Sequence, residues 1–280
     1  MVSGVFFSLG LVIFAQIRTV ADAVRSIRPN IVPSDSVGTA FVLPVVGNTP
    51  GANGTFFRSE AVFSNYLSTP QRIAISVLEQ GKASGDQPVI IRQLPSYENG
   101  GDLGLVDDDI LQSLGKTGLA ALVVQAVDAS GNADPNARID GFTRIWTNQP
   151  PSDGCPSPRG TMSQSLFAVP PNSLAGSEFS GFAVGLRQDE NFRTNVGIVN
   201  LSAESHSWTV EVDGTRGGTT FRVTVPASSM QQVPVPAGIY GNISVIFTAD
   251  PTTSANFNWA AYASSVDNYT GDGWTRQASY

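Results

Sequence analysis

Apolar and polar residues alternate along much of the second half of the chain. In 207–212, Trp208, Val210 and Val212 are interleaved with Ser207, Thr209 and Glu211, and Asp213-Gly214 follows as a turn signal. A period of two places the apolar set on one face of a strand and the polar set on the other, as in an antiparallel sheet with one wet side. The same pattern predicts strands over 180–186, 193–200, 207–212, 219–225, 229–235, 241–248 and 258–266. Seven short strands in about 100 residues, punctuated by turn residues, predict an immunoglobulin-like sandwich rather than a barrel or propeller. The first half follows the same plan with two additions. Residues 106–114 predict a short helix whose positive end faces Asp107, Asp108 and Asp109, and a Pro-rich loop surrounds Cys155.

The two halves match when laid over each other. Phe57-Arg58-Ser59 with Asn65 corresponds to Phe192-Arg193-Thr194 with Asn200 at a constant spacing of 135 residues. Between these fixed points Ala61 and Phe63 fall opposite Val196 and Ile198, as two equivalent half-buried strands require. Residues 89–95 parallel 220–226, each a strand closed by proline, and 141–148 parallel 261–268, each an aromatic-bearing strand stopped at Asn. An internal duplication explains these matches. The expected fold is therefore all-β, two tandem immunoglobulin-like antiparallel sandwiches over 41–172 and 173–280, with 24–40 as a linker and an apolar helix ahead of it.

The string FRTNVGIVN at 192–200, with YASSVDNYTGD at 262–272, resembles an uncharacterised repeat of secreted bacterial proteins that often occurs in pairs. The resemblance covers roughly residues 40–280 and is closer in the second copy. It implies tandem sandwiches and export, and it brings no catalytic residue. Where the second copy has Asn195 and Gly197, the first has Glu60 and Val62, so a role tied to those positions belongs to one half.

At the amino terminus, 5–17 is an uncharged apolar run followed by Arg18. It is short for a membrane span, which needs about 20 apolar residues, and fits the apolar region of a secretory signal. Residues 1–23 are expected to be a signal peptide or anchor, with Ala21-Asp22-Ala23 as the cleavage site and Ala15 as a second candidate. The alternative is a helix of the mature fold, carried on by Val20, Val24 and Ile27 and ended by Pro29. The expected location is extracellular or at the cell surface, with the membrane reached only through this segment.

Charge and composition narrow the chemistry. The net charge of −7 removes the basic footprint that nucleic acid would require. One His and one Cys leave no material for a His/Cys metal cage or a disulfide framework. His206 is the single imidazole that could serve a Ser/His/Asp hydrolase, but no GxSxG elbow accompanies it, and a solvated turn is its expected place. The GKT at 115–117 lacks the earlier Gly of a phosphate-cradling loop, since Ile110 stands there. Asp128, Ser130, Asn132, Asp134 and Asn136 offer oxygens at every second position and form a calcium candidate. The same residues with Gly131 and Pro135 make an ordinary hairpin loop, which is the expected reading.

In the repeated motif, Phe57, Arg58, Asn65, Phe192, Arg193 and Asn200 are expected to be structural, each Arg forking over backbone carbonyls and each Asn bonding the turn that follows it. Arg58 and Arg193 are also ligand-contact candidates. Of the four Trp, Trp274 within Gly271-Asp272-Gly273-Trp274 is expected to be exposed, where it could stack on a sugar. The function expected is a non-enzymatic structural or interaction protein, an adhesion, matrix or assembly module whose partner is a protein or glycan at the cell surface, with self-assembly open. A carbohydrate-binding sandwich is the alternative and a hydrolase using His206 the third reading. No cofactor is expected beyond the calcium candidate.

Overall fold

The computed structural model describes residues 16–26, 38–51, 54–96, 104–148, 160–250 and 257–280, and these form an all-β protein of antiparallel sheets. In the first half, β1 (Ala40–Pro50), β2 (Phe56–Asn65), β3 (Gln71–Glu79), β4 (Ile90–Leu94), β5 (Gly104–Asp107), β6 (Gly118–Val127), β7 (Ile139–Asn148) and β8 (Thr161–Phe167) build two layers. One runs β4-β3-β6-β1 and the other β2-β7-β8, with β5 on the free edge of β2. The layers are not separate sheets. The pairs Thr49↔Phe57 and Pro50↔Phe56 stitch β1 to β2, because the short connection between them, closed by Gly51 N to Thr55 O at 2.9 Å, keeps the strands together around the corner.

In the second half, β9 (Ala175–Gly176), β10 (Ser180–Gln188), β11 (Phe192–Asn200), β12 (His206–Gly214), β13 (Gly217–Val225), β14 (Ser229–Pro234), β15 (Gly241–Ala249), β16 (Asn258–Asp267) and β17 (Gly273–Gln277) form sheets β10-β15-β12-β13 and β14-β11-β16-β17. The strand order repeats that of the first half. Register repeats too. Arg58 pairs with Trp146 and Asn65 with Ile139, while Arg193 pairs with Val266 and Asn200 with Trp259, the spacings being 135 on one strand and 120 on the other. A bulge interrupts β1 between Leu43 and Val46 and interrupts β10 between Ala183 and Leu186. Pro44 occupies one bulge and Gly185, at φ 75°, the other, residues suited to a break in a ladder. The last strand, β17, lies beyond the seven strands expected in this half and carries Trp274.

Three apolar cores are stacked through the protein. Phe41, Leu43, Phe63, Ile73, Ile75 and Leu122 fill the first sandwich. Trp208, Val210, Val245, Phe247, Trp259 and Ile198 fill the second. The third lies between them, where Val42, Ala74, Leu78 and Val123 meet Val199, Met230, Ala260 and Tyr262. The layer β4-β3-β6-β1 is thus apolar on both faces, which is why 118–127 reads GLAALVVQAV without alternation. Two self-contained interiors, one per half, do not describe the molecule. Backbone bonds also cross the junction, as from Gly81 N to Met230 O at 3.0 Å.

Helix α1 (Val20–Ser26) packs on this shared core, burying Ile17, Val20, Ala23 and Val24. It starts at a capping box. Thr19 Oγ1 and Asp22 Oδ2 lie 2.9 Å apart, and Thr19 N donates to the same carboxylate at 3.0 Å. Residues 16–24 therefore belong to the folded body, whereas 1–15 and the Cys155 loop lie outside the described residues. The helix expected at 106–114 shrinks to one turn, α2 (Ile110–Ser113), since 104–107 pairs as a strand with β2. No helix among the described residues is long and apolar enough to cross a membrane.

Candidate functional site

The repeated Asn has the same bonds in both halves. Asn200 is fully buried at the end of β11, and its Nδ2 donates to Glu204 O at 2.8 Å and Pro226 O at 2.9 Å, while its Oδ1 accepts from Ser202 N at 3.0 Å. Asn65 Nδ2 donates to Thr69 O at 2.9 Å and Pro95 O at 2.8 Å, and its Oδ1 accepts from Leu67 N at 3.0 Å. One carboxamide thus closes a turn and ties it to the proline-ended strand of the facing layer.

The two Arg side chains diverge. Arg58 Nε stands 3.2 Å from Asp109 Oδ2, an ion pair without hydrogen-bond alignment, and its guanidinium lies over the rings of Phe56 and Trp146. Arg193 Nη1 donates to Asn268 Oδ1 at 2.8 Å. Neither forks over backbone carbonyls as expected, because on each face a side-chain acceptor stands closer. Phe57 and Phe192 sit at the strand starts, and Phe192 meets Trp274 edge-on at 5.7 Å.

Arg193 opens onto a cavity of about 300 Å³ between the two sandwiches. Val45, Leu119, Ile145 and Met162 of the first half form an apolar wall, and Arg193, Asn195, Gln232, Tyr262 and Ser264 of the second supply a polar one. Tyr262 Oη donates to Gln232 Oε1 at 2.7 Å, and burial pushes this phenol well above its ordinary range. Ser264 Oγ donates to Gln164 Oε1 at 2.7 Å, and Thr275 Oγ1 donates to the same oxygen. Gly197 makes room for the Tyr262 ring, which occupies the space a Cβ there would need. Gln164 and Gln232 carried no sequence signal, and Tyr262 and Ser264 stood in the repeat-like string at 262–272 without a role. They arrive from three strands well apart in the chain, and only the equivalence of Asn195 and Gly197 to Glu60 and Val62 marked the place.

The remaining sequence candidates fall elsewhere. Trp274 is half-buried rather than exposed, because β17 pairs with β16 and the indole Nε1 donates to Gly185 O at 2.8 Å. His206 is buried at the start of β12 rather than in a solvated turn. Its ring stacks on Phe257 at 3.7 Å, and Nε2 meets Ser202 Oγ at 2.9 Å. Desolvation lowers its basicity, partly countered by the charge of Glu204.

In the calcium candidate, Asp128 Oδ1 accepts from Ser130 N at 2.8 Å and Asn132 N at 2.9 Å, Asp128 Oδ2 accepts from Asn132 Nδ2 at 3.2 Å, and Asp134 Oδ1 accepts from Asn136 N at 2.9 Å. These bonds hold the Asp128 carboxyl below its ordinary range. The carboxylates act as turn acceptors, and among the described residues no group of three or more His, Cys, Asp or Glu side chains converges. No family model matches the chain, and no curated protein matches it either.

Proposed function

We propose that the protein is an exported, non-enzymatic assembly module, a duplicated immunoglobulin-like sandwich that pairs with a second copy of itself through the outer face of the β5-β2-β7-β8 layer. One observation carries this. Val106, Val62, Phe142 and Phe167 are direct cross-strand partners and form an apolar row over four strands, with Val106 58% and Phe167 71% exposed. The equivalent row of the second half is Gly197, Tyr262 and Gln277, and Tyr262 there is buried in the core between the sandwiches. A face that makes a permanent contact in one half is left in water in the other, and exposed apolar rows of this kind mark interaction surfaces.

A second copy suits the face because its charges cancel within it. Arg58 is beside Asp109 and Arg144 Nε is 3.6 Å from Glu60 Oε2, so two faces meet about a two-fold axis without stranding like charge. Sedimentation velocity over a concentration series tests the pairing. A dimer that Phe167→Asp converts to monomer supports it, and a wild-type monomer at high micromolar concentration overturns it.

Export rests on the apolar run at 5–17, with processing beside Ala15 rather than Ala23, since a cut after Ala23 removes Ile17, Val20 and Ala23 from the shared core. Intact-mass analysis of protein recovered outside the cell distinguishes the two cuts.

A further inference from the structure

We propose that the cavity between the sandwiches binds a small organic monocarboxylate with an apolar body, its carboxylate held by Arg193 and Asn195. Four side chains lining the cavity have hydrogen-bond donors with no acceptor among the described residues. Arg193 uses Nη1 on Asn268 and has no carboxylate partner among the described residues. Among the described residues the amide of Asn195 has no partner, and the Nε2 groups of Gln164 and Gln232 are left over because their oxygens take the hydroxyls of Ser264, Thr275 and Tyr262. No Asp or Glu among the described residues lines the cavity. A wall of unpaired donors around one guanidinium is complementary to an anion, and the free edge of a guanidinium matches the two oxygens of a carboxylate. The opposite wall is apolar over Val45, Leu119, Ile145 and Met162, with Thr49 and Ser163 beside them, and among the described lining residues it has no second cation to hold another carboxylate.

Comparison of the halves strengthens the assignment. At the equivalent place on β2 and β7 the first half has Glu60 facing Arg144, whereas the second has Asn195 facing Ser264. The acid that would repel an anion and the base that would neutralise that acid are both gone, while Arg193 is kept. The volume of about 300 Å³ is at the small end of ligand pockets, which limits the ligand to a short aliphatic chain or one aromatic ring. This site is on the opposite side of the first sandwich from the proposed pairing face and does not depend on it.

The probes are hexanoate and benzoate, with hexanamide and benzamide as uncharged matches, titrated into the full chain by calorimetry and by NMR. Saturable binding of a carboxylate at least tenfold tighter than its amide is expected, with shifts in the side-chain amide signals of Asn195, Gln164 and Gln232. Arg193→Gln and Asn195→Asp, each checked for an unchanged circular dichroism spectrum, should weaken binding at least tenfold. Should either variant fail to fold, the amide shifts in the unaltered protein decide the matter. Equal affinity for acid and amide, shifts confined to other residues, or no saturable binding at millimolar probe overturns the proposal.

Discussion

Gly197 and Tyr262 are cross-strand neighbours on β11 and β16, and the Tyr262 ring lies where a side chain on Gly197 would begin. The ring is 1% exposed and its hydroxyl is bonded to Gln232, so moving it aside breaks that bond. Gly197→Val, which installs the residue that the first half has at the equivalent place as Val62, should destabilise the protein by about 3 kcal/mol, the upper range for overpacking. Urea unfolding measures it. A loss under about 0.5 kcal/mol would mean the ring swings out freely.

Asn200→Ala should be as damaging for a different reason. It removes the bonds that the carboxamide donates to the carbonyls of Glu204 and Pro226 and accepts from the amide of Ser202. These bonds are part-buried, so a cost of about 1–3 kcal/mol is expected, the range for one stranded polar group. Asn200→Asp should cost more at neutral pH, because a carboxylate has no N–H to offer those carbonyls. Asn65→Ala and Asn65→Asp should repeat the order, and an Asp variant as stable as the parent would refute the donor role.

These two sites also show what the sequence could reveal. The Asn pair was legible because its bonds reach residues two and four positions ahead and a proline-ended strand that both halves have. Register was legible because a half-buried strand fixes which residues face inward. The shared core was not, for a local reason. Runs such as 118–127 lack alternation, and an apolar run on both faces does not say what covers the second face. Trp274 was misplaced because Gly271 and Gly273 imitate a loop, although Gly273 opens a strand. His206 was misplaced because its stacking partner Phe257 is distant in sequence.

Burial of His206 gives the fold a dependence on mild acid. Desolvation holds its folded pKa below the unfolded value of 6.5. The unfolded chain therefore binds the proton first as pH falls, and stability drops from about pH 6.5 down to the folded pKa, then levels with respect to this group. His206→Phe, which keeps a flat ring against Phe257, should remove the slope between pH 7.5 and 5.5 expected by this linkage. Thermal unfolding of both proteins across that window is the measurement. Parallel curves would show that the slope comes from other groups.

The amino-terminal segment gives the most direct test of where the folded body starts. Ile17 N donates to Gly131 O at 2.8 Å and Val20 N to Gln87 O at 3.0 Å, and the side chains of both residues are buried beside Leu78 and Val123. Removing residues up to Ala23 uncovers that patch. The loss should be about 3–6 kcal/mol, taking roughly 1.5–3 for each of Ile17 and Val20. Against a typical total of about 5–15 kcal/mol this leaves a chain that unfolds or aggregates on mild heating. A chain beginning at Gln16 keeps every one of these contacts and should melt with the full-length protein. If the chain beginning at Val24 melted with it as well, the helix would be an ornament on the sheet rather than the cover of its core.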